Sequence, residues 1–389
     1  MATLFTGIGE LWTFDPAHDG PLRDAALVVD DGVVAWTGPA SGAPDADERV
    51  DVGGRAVLPG WVDSHTHLVF DGDRSSEFEA RMAGEGYAAG GIAVTTGATR
   101  AASDERLRSL LEARLAEAYR GGTTTVETKT GYGLTVDDEV RSARIAAELA
   151  DEVTFLGAHL VPEGWDADEY VDLVIGDMLE AVRPHVGWMD VFCEEGAFTV
   201  EQSRRVLDAG RRAGLGLRVH GNQLGHSGGV ALAVEMGAAS VDHVNFLSAD
   251  DVEALAASDT VSTILPACDL STRVQFAPAR QLLDAGATVA IASNCNPGTS
   301  YTSSMNFCVG TAVLQQYLTL EEALRAATVG GARALRRGDV GSLTVGSRAD
   351  LHVLDAPAAI HLAYRPGMPL THAVFRGGRS LDTPRESAG

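Results

Sequence analysis

The sequence predicts an α/β protein, a (β/α)8 barrel of the TIM type carrying a small composite β-sandwich formed by both chain ends. Three observations predict it. Between about Pro59 and Leu335, eight short apolar runs alternate with segments of helical period, the pattern of parallel strands joined by crossover helices. Both ends of the 389-residue chain read instead as strands and tight turns. No GxGxxG or P-loop pattern follows any of the eight runs, which argues against an open doubly wound sheet. The expected division is residues 1–58 for the first part of the sandwich, 59–337 for the barrel and 338–389 for the rest of the sandwich.

In chain order, Leu11–Phe14 and Ala25–Trp36 give the first β-like runs, and Asp31-Gly32 between two apolar stretches is a hairpin signal. The barrel strands are expected at Val62–Val69, Thr123–Lys129, Val153–His159, Gly187–Cys193, Gly216–His220, Ser240–His243, Thr260–Leu265 and Thr288–Ser293. Helices are expected at Asp104–Arg120, Asp137–Leu149, Asp168–Val182, Thr199–Ala213 and Glu321–Leu335, several with Asp or Thr near the N-terminus as a cap. Gly341–Asp355 and His372–Arg379 return to strands and turns.

The chain carries 54 Asp and Glu against 30 Lys and Arg, a formal charge of −24, which opposes binding to phosphate backbones or anionic membrane surfaces. Lys129 is its single lysine. Cys193, Cys268, Cys295 and Cys308 form no CxxC pair, so neither a disulfide framework nor a thiolate zinc site is indicated. With no signal-like start and no long apolar run, a soluble cytoplasmic protein is expected.

Active sites of such barrels gather at the C-terminal ends of the strands. His65 and His67 are two residues apart, which in an extended chain sends both imidazoles to one side. His159, His220 and His243 end three further strands, so five of eleven histidines fall at one mouth of the barrel. Three neutral imidazoles suit a catalytic metal, with His65, His67 and His220 as its nitrogen ligands. His243 is better placed to hydrogen-bond an attacking water.

The stretch Pro59-Gly60-Trp61-Val62-Asp63-Ser64-His65-Thr66-His67 resembles the metal motif of the amidohydrolase superfamily. The resemblance narrows to the imidazolonepropionase family through Leu68-Val69-Phe70 with Arg74, Lys129–Leu134, Phe155–His159, Asp190–Glu194 and Asn296-Pro297-Gly298-Thr299. It covers nearly the whole chain, in order. It implies hydrolysis of the cyclic amide 4-imidazolone-5-propanoate to N-formimidoyl-L-glutamate, a ring opening in histidine degradation. It implies one Zn(2+) or Fe(3+) ion per chain on His65, His67 and His220, with a homodimer expected. By matching position, Arg74, Tyr132, His159, Gln223, Asn296, Gly298 and Thr299 would hold the substrate, and His243, Gln223 and Asn294 would serve catalysis.

The residues are chemically suited to those parts. Arg74 offers a planar fork for the propionate carboxylate, its plain alternative being a loop arginine at the surface. Tyr132 and His159 can donate to or accept from the ring and its carbonyl, and Tyr132 reads equally as a turn residue. Pro297-Gly298 reads equally as a turn alone. The sequence departs from the family at Asn294, which stands where the family has a metal-binding aspartate. An amide is a poorer ligand and is no base at neutral pH, and loss of a positioned base costs about 10²–10⁴ in rate. A weakened metal site with little turnover is therefore expected unless His243 substitutes. The intact surroundings favour a substitution introduced into a working hydrolase, against a degenerate copy or a variant with another base. Rival functions are another cyclic amidohydrolase or deaminase, a binuclear hydrolase bridged by a carboxylated Lys129, and a non-catalytic binder.

Overall fold

The structure is a computed structural model that describes residues 1–84 and 91–381. Five strands come first: β1 (Thr3–Leu11), β2 (Leu22–Asp30), β3 (Val33–Pro39), β4 (Glu48–Asp51) and β5 (Ala56–Pro59). Eight more follow, β6 (Trp61–Asp63), β7 (Thr123–Lys129), β8 (Glu152–Ala158), β9 (Trp188–Cys193), β10 (Gly216–Gly221), β11 (Ser240–His243), β12 (Val261–Ile264) and β13 (Val289–Ile291). The last are β14 (Leu351–Leu354), β15 (Thr371–Arg376) and β16 (Arg379–Ser380).

Strands β6 to β13 pair in sequence order, and every pairing given in register from β7 to β13 is parallel. The seam is closed by backbone hydrogen bonds: Asn294 N–H donates to the His65 carbonyl at 3.0 Å and His67 N–H to the Cys295 carbonyl at 2.9 Å. The expected barrel is thus present, with shorter strands than expected at both ends of the series. The histidine pair lies beyond β6 in irregular chain rather than within a strand.

Compactness divides the chain into two units. One comprises Met1–Asp63, Ala116–Thr125 and the chain from Ser304 onward. Its sheet runs β16-β15-β14-β5-β1-β2-β3, with β4 on β1, so strands from both chain ends share one mixed sheet. Phe5, Leu11, Leu27, Val57, Leu351 and Val353 are among its buried core. Asp31 and Gly32 both hold positive φ, 47° and 79°, the geometry of the tight hairpin the sequence signalled.

The second unit comprises Ser64–Leu115 and Val126–Ser303. Its helices begin where side chains satisfy free amides: Thr135 caps Val136–Leu149, and Thr199 with Gln202 forms a capping box on Val200–Arg212. The helix expected at Asp168–Val182 is broken into Ala167–Leu173 and Leu179–Val182 by a wide turn in which Gly176 leaves helical geometry. Glycine without a Cβ makes that departure cheap. In the first unit, the helix expected at Glu321–Leu335 divides likewise around Ala326–Gly330. A Cβ on Gly331, just past that turn, would collide with the Val62 carbonyl.

Candidate metal centre

The imidazoles converge. The Nε2 atoms of His65 and His67 are 3.3 Å apart, and the His220 ring centroid lies 4.6 Å from that of His65 and 5.5 Å from that of His67. His243 joins them, with ring nitrogens of His65, His220 and His243 all within 4.8 Å of one another. His220 and His243 come from the C-terminal ends of β10 and β11, while backbone hydrogen bonds across the barrel seam hold His65 and His67 in place.

Each of two imidazoles is backed by a carboxylate. His65 Nδ1 lies 2.7 Å from Asp242 Oδ2, and His220 Nδ1 lies 3.1 Å from Asp190 Oδ2. An ionised carboxylate only accepts, so each Nδ1 carries its proton and each Nε2 offers a bare lone pair. Burial, reinforced by the nearby Lys129 ammonium, pushes the His65 pKa down to about 3, so the ring is neutral. Burial likewise holds His67 and His243 well below the usual histidine range. Among the described residues, His220 Nε2 is buried with no hydrogen-bond partner. The buried Asn294 Oδ1 also lacks a hydrogen-bond partner among the described residues.

Beneath the histidines lies a buried ionic cluster. Lys129 Nζ is 3.0 Å from both Glu127 Oε1 and Asp190 Oδ2 and 3.9 Å from Asp242 Oδ2. Arg218 Nη2 donates to the Ser64 carbonyl at 2.7 Å and lies 3.4 Å from Asp242 Oδ2. All five charged side chains are fully buried. Three carboxylates face two cations, leaving one negative charge in a medium where it is costly. Burial would raise Asp190 and Asp242, but His220 and Lys129 around the first and Arg218 and His65 around the second outweigh it and hold both below the usual carboxylate range. Bare imidazole nitrogens over an excess of buried negative charge are a donor set that fits a metal cation. Lys129 is engaged as an ammonium on two sides, which removes the support for a carboxylated lysine bridging two metals.

Backbone strain gathers at the same strand ends. Asn222, His243, Val244 and Asn294 hold φ of 54°, 84°, 50° and 52°. For a β-branched residue such as Val244 that conformation is a genuine outlier, and such outliers persist where the surroundings enforce them.

A cavity opens onto the histidines, lined by His67, Arg74, Tyr132, His159, Gln223 and Asn294 among others. Arg74 is buried, and its Nε and Nη2 each donate to Glu77 at 2.7 Å, so the fork expected to meet a ligand is half engaged already. Nη1 remains directed elsewhere, packed so closely on Gly298 that a Cβ there would collide with the guanidinium. Tyr132 is buried, its ring 5.5 Å from that of His159. His159 Nδ1 donates to the Gly131 carbonyl at 2.9 Å, and burial lowers its pKa to about 4. The Gln223 backbone N–H donates to Glu194, while its side chain lines the cavity. Asn296 spends its amide on the turn after β13. Nδ2 donates to the Asn294 carbonyl and Thr299 Oγ1, and Oδ1 accepts from the Gly298 and Thr299 N–H groups, all at 2.7–2.9 Å.

Comparison with known proteins bears on this site. The profile of the amidohydrolase family matches residues 56–380. The chain is 68% identical to the imidazolonepropionase of Micrococcus luteus, over 97% of this chain and 99% of that protein. It is 68% identical to the imidazolonepropionase of Saccharopolyspora erythraea, over 97% of this chain and 98% of that one. The chain belongs to the imidazolonepropionase family. Among solved structures, it is similar to an adenosine deaminase from Xanthomonas campestris with bound zinc (TM-score 0.73, 21% identity, covering 97% and 92% of the two chains). A triazine hydrolase variant gives a TM-score of 0.75 at 20% identity, covering 98% and 94%. At that identity the two structures speak for the fold.

Several residues of this imidazolonepropionase family member that build the site drew no role from sequence. Glu127, Asp190, Arg218 and Asp242 are charged residues inside short parallel strands, where near-continuous apolar runs are the rule. That anomaly was the available signal. Glu77, three residues after Arg74 on the helix Ser75–Met82, carried none beyond its spacing.

Proposed function

We propose that the chain hydrolyses 4-imidazolone-5-propanoate to N-formimidoyl-L-glutamate, with one zinc or iron ion held by His65, His67 and His220. One juxtaposition carries the reading: bare imidazole nitrogens share a cavity with a buried arginine, in a chain about two-thirds identical to named imidazolonepropionases. When bound, the metal supplies Lewis acidity that brings the pKa of water toward 7.

The chain's own groups do the rest. Asp242 and Asp190 hold His65 and His220 as Nδ1–H tautomers, which leaves each Nε2 as the atom that would hold the metal. Arg74 takes the propionate carboxylate on the Nη1 and Nη2 edge that Glu77 leaves free, which fixes the ring over the histidines. Neutral His159 accepts a ring N–H on Nε2, and the Tyr132 hydroxyl donates to the carbonyl oxygen as negative charge grows there. Gln223 bonds the ring through its amide, and Thr299 can donate its hydroxyl. Gly298 serves by lying flat against Arg74, and Asn296 by holding the turn. Water adds to the ring carbonyl carbon, the C–N bond to the adjacent ring nitrogen breaks, the proton taken from the water passes to that nitrogen as it leaves, and the former carbonyl carbon ends as the carboxylate. Asn294 cannot take the water proton, so we assign that step to the His243 imidazole.

Metal analysis of the purified protein together with the ultraviolet loss of imidazolonepropionate absorbance tests this. One metal per chain and loss of absorbance are expected, and metal-loaded protein that leaves the absorbance unchanged counts against it. Neutral amides at both Asn294 and Gln223 favour one rival, a binder without turnover. Calorimetry showing tight binding without product would support that rival.

A cytoplasmic homodimer completes the proposal. No helix among the described residues is long and apolar enough to cross a membrane. Exposed Leu314, Tyr317, Tyr364 and Met368 offer apolar surface for a second copy.

A further inference from the structure

A buried carboxylate that takes no part in the ionic cluster organises the other side of the cavity. Glu139, on the helix Val136–Leu149, is fully buried. Its Oε1 accepts from the N–H groups of Gly133 at 2.7 Å, Leu134 at 2.8 Å and Gly131 at 3.2 Å, and its Oε2 accepts from Gly131 at 3.0 Å. Three amides of one short turn therefore point at a single side chain. The turn is shaped for this, since Gly131 and Leu134 have φ of 108° and 56°. A Cβ on Gly133 would come within 2.7 Å of Asp138 and 2.8 Å of the Glu139 nitrogen. Tyr132 sits between the two anchored glycines.

The same turn reaches His159. The Gly131 carbonyl lies 2.9 Å from His159 Nδ1. A carbonyl only accepts, so Nδ1 carries the proton and Nε2 is left as an acceptor.

We infer that Glu139 is a positioning residue of this cavity: by anchoring the Gly131–Leu134 turn it places Tyr132 and, through the Gly131 carbonyl, fixes His159 as the Nδ1–H tautomer. The cavity then selects cyclic amides that present a ring N–H to His159, and rejects isosteres with a bare ring nitrogen there, which would set two lone pairs face to face. The effect on turnover rests on the ring opening proposed above; the tautomer does not.

The conservative variant E139Q isolates the effect. Its amide oxygen can still serve Gly133 and Leu134, but its NH2 group replaces Oε2, the nearer of the two oxygens that face the Gly131 N–H. Histidine side-chain nitrogen NMR on the full-length protein, with His159 assigned through H159N, reads the tautomer. The parent should show His159 protonated on Nδ1, and E139Q should lose that preference. With metal content unchanged, kcat/KM should fall about 100-fold, the cost of a misplacement near 1 Å. An Nε2–H tautomer in the parent overturns the inference whether or not the variant folds. So does an E139Q protein with normal metal content, parental tautomer and parental kcat/KM. A parent that never turns over imidazolonepropionate, yet shows the Nδ1–H tautomer lost in E139Q, sinks the proposed reaction and supports the positioning.

Discussion

Replacing Arg74 by alanine separates a carboxylate-recognising hydrolase from a deaminase acting on an uncharged ring. The guanidinium is buried, lines the cavity, and is held by two 2.7 Å bonds to Glu77. A charge-assisted hydrogen bond contributes about 1.5–3 kcal/mol, which corresponds to roughly 10- to 150-fold in affinity. Alanine has a second effect, because it leaves the Glu77 carboxylate unpaired beside the propionate site, and like charges repel. Arg74→Ala should therefore raise KM for imidazolonepropionate about 100-fold or more, with a smaller change in kcat. Adding Glu77→Gln should recover part of the loss. Arg74→Lys should recover little, since an ammonium restores charge without the planar fork. Initial rates from the decline in ultraviolet absorbance, over a range of substrate concentrations, give KM and kcat separately. A KM within about threefold of the parent would refute the carboxylate assignment, because even the weaker end of the bond-energy range exceeds it.

Three further outcomes follow from the same geometry. Asn294→Asp, which places a carboxylate base where an amide now sits, should raise kcat at least about 100-fold over the rate that His243 alone supports in metal-loaded protein, and an unchanged rate would show that His243 carries the proton transfer without loss. Lys129→Met strands Glu127, Asp190 and Asp242 opposite Arg218 alone, so urea unfolding of metal-free protein should show a loss of about 3–5 kcal/mol. Metal-loaded protein should lose less, and equal losses would detach the lysine from the metal centre's electrostatics. Burial pushes the Asp269 carboxyl up to about 7, against hydrogen bonds from Asn245 and the Ala277 N–H that favour its charge. Between its unfolded value near 3.8 and 7 the folded chain binds the extra proton. Stability should thus fall as pH rises through that window, by at most about 4 kcal/mol, and level off above it. Urea midpoints at intervals from pH 4 to 8 should show this contribution in the parent and its absence in Asp269→Asn; identical slopes would remove Asp269 as the source.

Local pattern in the sequence was enough to determine the barrel, because apolar runs, helical period and turn residues act over a few positions and survive in any context. Asp31-Gly32 made its hairpin, Thr135 and Thr199 capped their helices, and the HxH spacing announced paired imidazoles before any fold was known. What each side chain would meet was decided by tertiary structure, since pairing depends on residues distant in the chain. Asp242 reaches His65 across 177 positions and Asp190 reaches His220 across 30. No window contains both partners, so the protonation of those rings could not be read in advance. The same holds for the divided helices: Gly176 and Gly331 fit a helical period, and only the backbone geometry and the crowded approach to Val62 show where the regular turns give way. Asn296 and Arg74 were legible as polar groups near a site. Their bonds to the turn and to Glu77 set how much of each is left for a ligand, because hydrogen-bonding capacity is finite and the folded chain claims its share first.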